Sequence, residues 1–376
     1  MRKNSFLVLL YLALFTLYSS NELTSQTLEY TNETAYLTEI LSHTSKNGGK
    51  DVHFIGWFLN TSTLAIGEKH SLNLGLMMTH GGEPSANIVG DLQTFSNLEA
   101  GSLYGLYEMY YQYQADDFWI KFGQQDLNTD FLVSENALLF THSSFGIDPV
   151  ATINMPAPTY PVTSVALTTG INLSEKLKLK LGIFDGQFAI PRDNFLTVNW
   201  NIPRDEGLLY IIEPEFKMFN GRLIQKVGYF CHSGQFVDKE TQNISRGLSA
   251  YYLVSDLLLA KKEEKTTNLF LQFNTSTKSV SDLNYYYGIG LRLTNHLRGK
   301  PNEIGLALGH AVLNDQFASV RNEYNLKSES IIEFNYKQEI SDWLSLQPYF
   351  QWIGMNQITN NQKNPIIVAL RAYIEF

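Results

Sequence analysis

The sequence has a single cysteine, Cys231, so no disulfide can form within the chain. Charge is scarce: 17% of the 376 residues are Asp, Glu, Lys or Arg, with 28 basic against 37 acidic. That balance excludes a strongly basic nucleic-acid binder. Beyond the first 20 residues no stretch offers 18 apolar positions in succession, which excludes a bundle of membrane-spanning helices. The eight histidines (43, 53, 70, 80, 142, 232, 296 and 310) show no metal-ligand spacing. No G-x-S-x-G, H-E-x-x-H or P-loop motif occurs, and Gly288-Ile-Gly290 lacks the third glycine of a dinucleotide fingerprint. No catalytic residue, metal or cofactor is therefore expected. What the chain has in quantity is aromatic residues, 21 Tyr and 23 Phe, which is unlike a disordered composition.

Met1–Ser20 reads as a secretory leader, with Arg2 and Lys3 ahead of the apolar run Phe6–Tyr18 and then Ser19-Ser20. As a helix that run would reach roughly 20 Å, short of a ~30 Å hydrocarbon core. Cleavage near Ser20 would leave 21–376 as one domain with 26 basic and 37 acidic residues.

The rest of the chain repeats one pattern, in which apolar side chains fill every second position over about ten residues and a polar turn follows. Ile366, Val368, Leu370, Ala372, Ile374 and Phe376 share one face, with Arg371, Tyr373 and Glu375 on the other. Leu72, Leu74, Leu76 and Met78 do the same, as do Tyr285, Tyr287, Ile289, Leu291 and Leu293 around an inward Arg292. Leu177, Leu179, Leu181 and Ile183 oppose Lys176, Lys178 and Lys180, a basic ladder or a solvated strand end. Alternation alone does not separate a soluble sandwich from a barrel whose apolar face meets lipid. Three features favour the barrel. Fifteen clear segments and a weaker one at 28–42 give sixteen, an even number; short and long connections alternate; and the apolar face carries essentially no charge. The expected fold is all-β, a transmembrane antiparallel up-and-down β-barrel of 16 strands with a long inserted segment at about 125–160. Pro214 and Pro348 sit at apolar positions inside candidate strands, so they are expected at strand ends or at slips of register. A secreted two-sheet carbohydrate-binding protein is the soluble alternative.

Within 90–160 the sequence reads GDLQTFSNLEAG (90–101), FGQQDLNTDFLVSENALLFTHSSFGIDP (122–149) and PAPTYPVTS (156–164). LGIFDGQ (181–187), KVGYFCHSG (226–234), GLSAYYLVSDLLL (247–259), GKPNEIGLALGHA (299–311) and WLSLQPYFQW (343–352) follow. From about residue 50 onward the chain resembles the carbohydrate-selective porins of the OprB family, most specifically around Asp126-Leu-Asn-Thr-Asp and His142-Ser-Ser-Phe-Gly. The resemblance implies a sixteen-stranded barrel in the outer membrane of a Gram-negative bacterium, among lipid and lipopolysaccharide, conducting sugars by facilitated diffusion without catalysis. It further implies that Phe376 closes a terminal strand read by the barrel assembly machinery. A homotrimer is a common porin assembly. The family usually carries a basic residue where Gln124 stands and a large aromatic where Cys231 stands, and the mature chain is acidic, which leaves the solute open.

Residues 125–160 are too apolar for a solvated loop, with Phe131, Leu132, Val133, Leu138, Leu139, Phe140, Phe145 and Met155. Folding back into the barrel would bury that surface and narrow the lumen, although a cap over the mouth would bury it too. If Tyr107, Met109, Tyr111 and Tyr113 face outward, Glu108, Tyr110 and Gln112 face the lumen; Trp119 and Lys121 do so from the next strand. Glu108 and Lys121 would then oppose each other across the pore. Gln124, Asp126, Asn128 and Glu135 at the base of the insert, with Arg292 and Arg371 from later strands, complete the expected lining. A general diffusion pore is the alternative without sugar selectivity. A barrel lipase would need an outward Ser/His pair, and the neighbouring pairs at 142–144 and 232–233 lie in the insert and at a strand end.

Overall fold

The computed structural model describes residues 27–44, 50–188, 206–238, 240–276, 279–315, 326–357 and 364–376. The Met1–Ser20 leader lies outside the described residues. The strands are β1 (Leu28–Thr44), β2 (Lys50–Ile66), β3 (His70–His80), β4 (Tyr104–Gln114), β5 (Phe118–Gln125), β6 (Ser164–Ser174), β7 (Leu177–Asp185) and β8 (Leu208–Met218). They continue as β9 (Leu223–Val237), β10 (Ile244–Lys262), β11 (Lys265–Ser276), β12 (Leu283–Leu297), β13 (Lys300–Leu313), β14 (Leu326–Ser341), β15 (Leu344–Gln357) and β16 (Ile366–Glu375). Each pairs with its neighbours in sequence, and β1 pairs antiparallel with β16, so the sheet closes without an edge.

Alternation decides which way each side chain faces. Tyr285, Tyr287, Ile289, Leu291 and Leu293 of β12 point out of the barrel and are 37–46% exposed, while Tyr286 between them is fully buried inside. This is the arrangement lipid demands, since a basic side chain at mid-membrane would cost ~2–4 kcal/mol. Connections at the Phe376 end are short. Between β12 and β13, Arg298 (φ 54°) and Gly299 (φ 78°) make a two-residue turn whose twist matches that of the strands it joins. At the opposite end, 81–103 and 126–163 are long.

Three places test the sequence expectation, and the first bears it out. The weak segment at 28–42 is a full strand. Its first residues pair with β2 alone, because the β16 register begins at Ala35. Projecting past β16, that hairpin needs no apolar outer face and carries a polar ladder instead: Asn32 Nδ2 donates to Ser62 Oγ at 2.9 Å and Asn60 Nδ2 to Thr34 Oγ1 at 2.8 Å. Pro214 and Pro348 lie inside their strands, not at ends or register slips. Pro214 stays opposite Leu179 and Pro348 opposite Leu370; on the other side pairing passes from Ile212↔Tyr229 to Glu215↔Lys226 and from Asn335↔Tyr349 to Gln338↔Leu346. The register is kept and the ladder opens on one side only. Tyr107 faces inward, not outward. A bulge puts it between Leu106↔Leu76 and Glu108↔Gly75, which breaks the parity of β4 at that residue.

The barrel interior is filled by the two long connections. In 126–163, Leu127, Phe131, Leu132, Val150 and Met155 pack on Phe184, Leu209, Ile211, Phe230, Tyr252 and Tyr286 of the wall. Ala137, Leu139, Phe140 and Phe145 pack on Phe270, Ala307 and Ile331. Residues 81–103 contribute Val89, Phe95 and Leu98 to a third cluster with Leu41, Ile55, Tyr349 and Ile353. Each fully buried Leu or Phe is worth about 1.5–3 kcal/mol. Gly305 makes room for this layer: a Cβ there would stand 2.9 Å from the Phe140 ring. The expected apolar surface of 125–160 is thus buried against the inner wall, except for half-buried Val133 and exposed Leu138.

Replacing the outward Leu291 by Arg should destabilise the barrel by about 2–4 kcal/mol in reversible folding into lipid vesicles. A change below about 0.5 kcal/mol would mean that this face does not meet lipid.

Candidate solute pathway

Both inserts lack a strand partner along much of their length, so their main-chain amides need acceptors. Wall carboxylates supply them. Glu329 of β14 accepts Leu92 N (2.8 Å) and Gln93 N (3.0 Å), and Glu333, four residues on, accepts Thr141 N (2.7 Å) and His142 N (3.0 Å). Glu213 of β8 accepts Leu132 N at 2.9 Å, and Glu108 of β4 accepts Asp126 N at 3.0 Å. Asp256 of β10 takes Ser134 Oγ (2.7 Å), Glu135 N (3.2 Å), Asn136 N (3.1 Å) and Asn136 Nδ2 (2.8 Å). Glu39, Glu213, Glu329 and Glu333 are 0% exposed. Burying such charges is costly, and amide donors compensate for it. Lys180 adds an ion pair to Glu213 at 2.7 Å, and Arg371 pairs with Glu39.

The inserts also hold each other. Asn97 N donates to Thr141 O at 2.8 Å and Ser144 Oγ to Gln93 Oε1 at 3.0 Å. Two short helices shape the longer insert, α1 (Ser143–Gly146) and α2 (Pro149–Asn154). The Asp148 side chain caps α2 by accepting Val150 N and Ala151 N, and Asn274 of the wall donates to it.

Between the inserts and the faces of β1, β2, β4 and β16 lies a cavity of about 610 Å³. Trp57, Tyr107 and Tyr160 give it ring surfaces, with Trp57 and Tyr107 each edge-on to Tyr160 at 5.6 and 6.3 Å between centroids. Asn97, Asn128, Thr152 and Thr159 give it amides and hydroxyls, and Glu99, Glu108 and Arg371 its charges.

A sequence model of the carbohydrate-selective porins, OprB family, matches residues 54–376. The chain belongs to that family. Its fold resembles Pseudomonas putida OprB with a TM-score of 0.81 at 16% identity, over 92% of this chain and 94% of that one. The outer membrane channel DcaP of Acinetobacter baumannii gives 0.59 at 10% identity, over 93% and 97% of the two chains. An anion-selective porin from Comamonas acidovorans gives 0.57 at 10%, over 93% and 100%. No curated protein matches the chain by sequence.

In this OprB-family porin the residues expected to line the pore fall into three groups. Glu108, Asn128 and Arg371 line the cavity. Gln124 and Asp126 lie instead in the joint between insert and wall. Gln124 is 1% exposed and donates to Tyr107 O (3.2 Å) and Thr163 Oγ1 (2.9 Å). Asp126 accepts the Tyr107 hydroxyl, Asn128 N and Tyr160 N. Tyr110, Trp119, Lys121, Glu135 and Arg292 sit outside the cavity. Lys121 pairs with Asp130 of the insert at 2.9 Å, in place of the expected opposition to Glu108, with the rings of Trp119 and Tyr110 at 4.9 and 5.3 Å. Arg292 pairs with Glu303 and donates to Glu135 O at 2.7 Å, leaving the Glu135 side chain exposed. Lys180 of the expected basic ladder is taken up by Glu213.

Sequence reasoning missed the shorter insert, and with it Asn97 and Glu99. Its signal was there: GDLQTFSNLEAG breaks the alternation and carries Phe95 and Leu98, which a solvated loop would not keep. It also missed Trp57 and Tyr160.

Two buried groups respond to pH with opposite sign. Burial lowers the His142 imidazole to about 3, so between about 3 and 6.5 the folded insert binds fewer protons than the unfolded chain and loses stability as pH falls. Burial, with the charges of Asp91 and Glu83 beside it, raises Glu99 to about 8. Its contribution is complete below its ordinary value of 4.5 and is lost as pH rises to about 8. Open-channel noise in planar bilayers should therefore grow between pH 6.5, above which His142 no longer contributes, and about 8. The non-ionising Glu99→Gln should flatten that response.

The clamp is tested separately. Asp256→Ala removes the acceptor of four donors, in a class worth about 1.5–3 kcal/mol per bond to a charged group. Residues 126–163 should become cleavable by protease in the folded barrel, with noisier conductance; an unchanged cleavage pattern would show that apolar packing alone holds the insert.

Proposed function

We propose that this porin conducts small sugars passively, down their gradient, through the aperture between its two inserts. The observation that carries this is the make-up of the cavity. Its volume of about 610 Å³ lies within the ~300–1,000 Å³ usual for small-molecule sites. A sugar has an apolar ring face and a rim of hydroxyls. Trp57, Tyr107 and Tyr160 offer surfaces for the face; Asn97, Asn128, Thr152, Thr159 and Arg371 offer donors and acceptors for the rim. Single, solvent-exchanging hydrogen bonds contribute about 0.5–1.5 kcal/mol each, enough to favour sugars without trapping them.

Biogenesis belongs to the same reading: export by the Met1–Ser20 leader, then insertion directed by the terminal strand. In support, Phe376 N donates to Thr34 O at 2.9 Å and Thr34 N to Phe376 O at 3.3 Å, so the last residue closes the seam between β16 and β1. Assembly of copies into a homotrimer is part of the proposal.

Liposome swelling tests the conduction. Neutral hexoses should enter faster than linear polyols and amino acids of similar mass, and Trp57→Ala should reduce that advantage by about tenfold, the equivalent of ~1.4 kcal/mol. Rates that follow solute size alone would establish a general diffusion pore.

A further inference from the structure

Three charged side chains line the cavity, and they are not equally free. The Arg371 guanidinium is committed to the wall: Nε and Nη2 donate to the buried Glu39 carboxylate, and Nη2 also to Asn97 Oδ1 at 2.7 Å. Glu99 and Glu108 face the same space without a basic group at ion-pair distance among the described residues. Ser85 N donates to both oxygens of Glu99 at 3.1 Å, and Asp126 N to Glu108 Oε1 at 3.0 Å. These amides orient the two carboxylates and do not neutralise them. Lys121 and Lys180 are held by Asp130 and Glu213. Among the described residues the unpaired charge of the aperture is therefore acidic, carried by Glu108 and, as the pH rises towards 8, by Glu99, and it stands beside the rings of Trp57, Tyr107 and Tyr160, whose faces attract cations.

We infer that the aperture favours cationic sugars, the protonated amino sugars, over anionic ones such as uronates and sugar phosphates. This rests on the sugar-channel reading and names its solute class. An ammonium on the sugar ring can donate to Glu108 and Glu99 while its hydroxyls keep Asn97, Asn128 and the threonines. A uronate meets Glu108, a Glu99 that ionises as the pH rises towards 8, and a guanidinium already neutralised by Glu39. Glu99 is faced by Glu83, Asp91 and Ser85 of its own insert and by Tyr160 of the other, and Tyr160 lies in turn beside Arg371 and Glu39. An arriving cation favours the ionised form of Glu99, so the site gains negative charge as this solute enters.

The test is swelling of proteoliposomes in glucosamine, glucose and glucuronate at neutral pH, with zero-current potentials in a KCl gradient as an independent readout. Glucosamine should outpace glucuronate by about tenfold, and K⁺ should be preferred over Cl⁻, increasingly so as pH is raised through 8. The double variant Glu99→Gln with Glu108→Gln keeps both carbonyl acceptors and should bring the glucosamine-to-glucuronate ratio to within about twofold. Glucuronate entering as fast as glucosamine, or an unchanged ratio in a double variant with normal heat-modifiable migration, would overturn the inference. If that variant fails to fold, the wild-type potential decides, and a Cl⁻ preference overturns it. Exclusion of glucose as well would count against the sugar channel itself, leaving the K⁺ preference to judge the charge argument alone.

Discussion

A loop folded into a barrel must find hydrogen-bond acceptors for amides that no strand can satisfy, and a carboxylate at an inward position is well suited to provide them. The interior of this porin depends on that interaction. Glu329 and Glu333 share one face of β14, and they hold different inserts, one at Leu92 and Gln93, the other at Thr141 and His142. One strand thus sets the position of both walls of the aperture. Glu213 and Asp256 extend the hold along the longer insert, and the phenylalanine layer closes behind it. The polar contacts fix where each segment lies; the apolar layer supplies most of the free energy.

This changes the meaning of the acidic composition. In the sequence the surplus of Asp and Glu looked like a clue to the solute. Much of it is structural, since Glu39, Glu213, Asp256, Glu329 and Glu333 face the inserts and not the aperture. Of the acidic groups among the described residues, Glu99 and Glu108 are the ones that line the cavity, and no composition could have singled them out.

The barrel was legible because its determinant is local. Period-two alternation marks a strand and its lipid face within a few residues, and all sixteen strands could be located from it. The errors fall where local pattern meets a non-local condition. Tyr107 was assigned by parity, and a bulge set by pairing with β3 reversed it. Pro214 and Pro348 broke a rule about missing donors, and the fold absorbs each by opening the ladder on one side. Lys121 was matched to Glu108 on the neighbouring strand, while its partner Asp130 arrives from the insert. Glu108 and Arg371 could be placed near the lumen because parity holds for them, and Asn128 because it follows β5 into the insert; Glu99, Trp57 and Tyr160 could not, because their meeting depends on how two inserts lie against each other.

Apart from Ser134 Oγ, Asn136 Nδ2 and Thr141 Oγ1, the clamp contacts described above grip main-chain N–H groups, which every residue except proline carries. Apart from Asn97, which accepts from Arg371, side chains of the inserts that face the aperture are therefore under little obligation to the anchorage. A lineage could exchange them one by one, and with them the solute admitted, while the loop stayed moored at the same points. Insertions, deletions and prolines at the gripped positions would be the changes it could not tolerate. The wall, by contrast, must conserve its acids even as the cargo drifts, so the steadiest residues of such a pore would be ones that no solute touches.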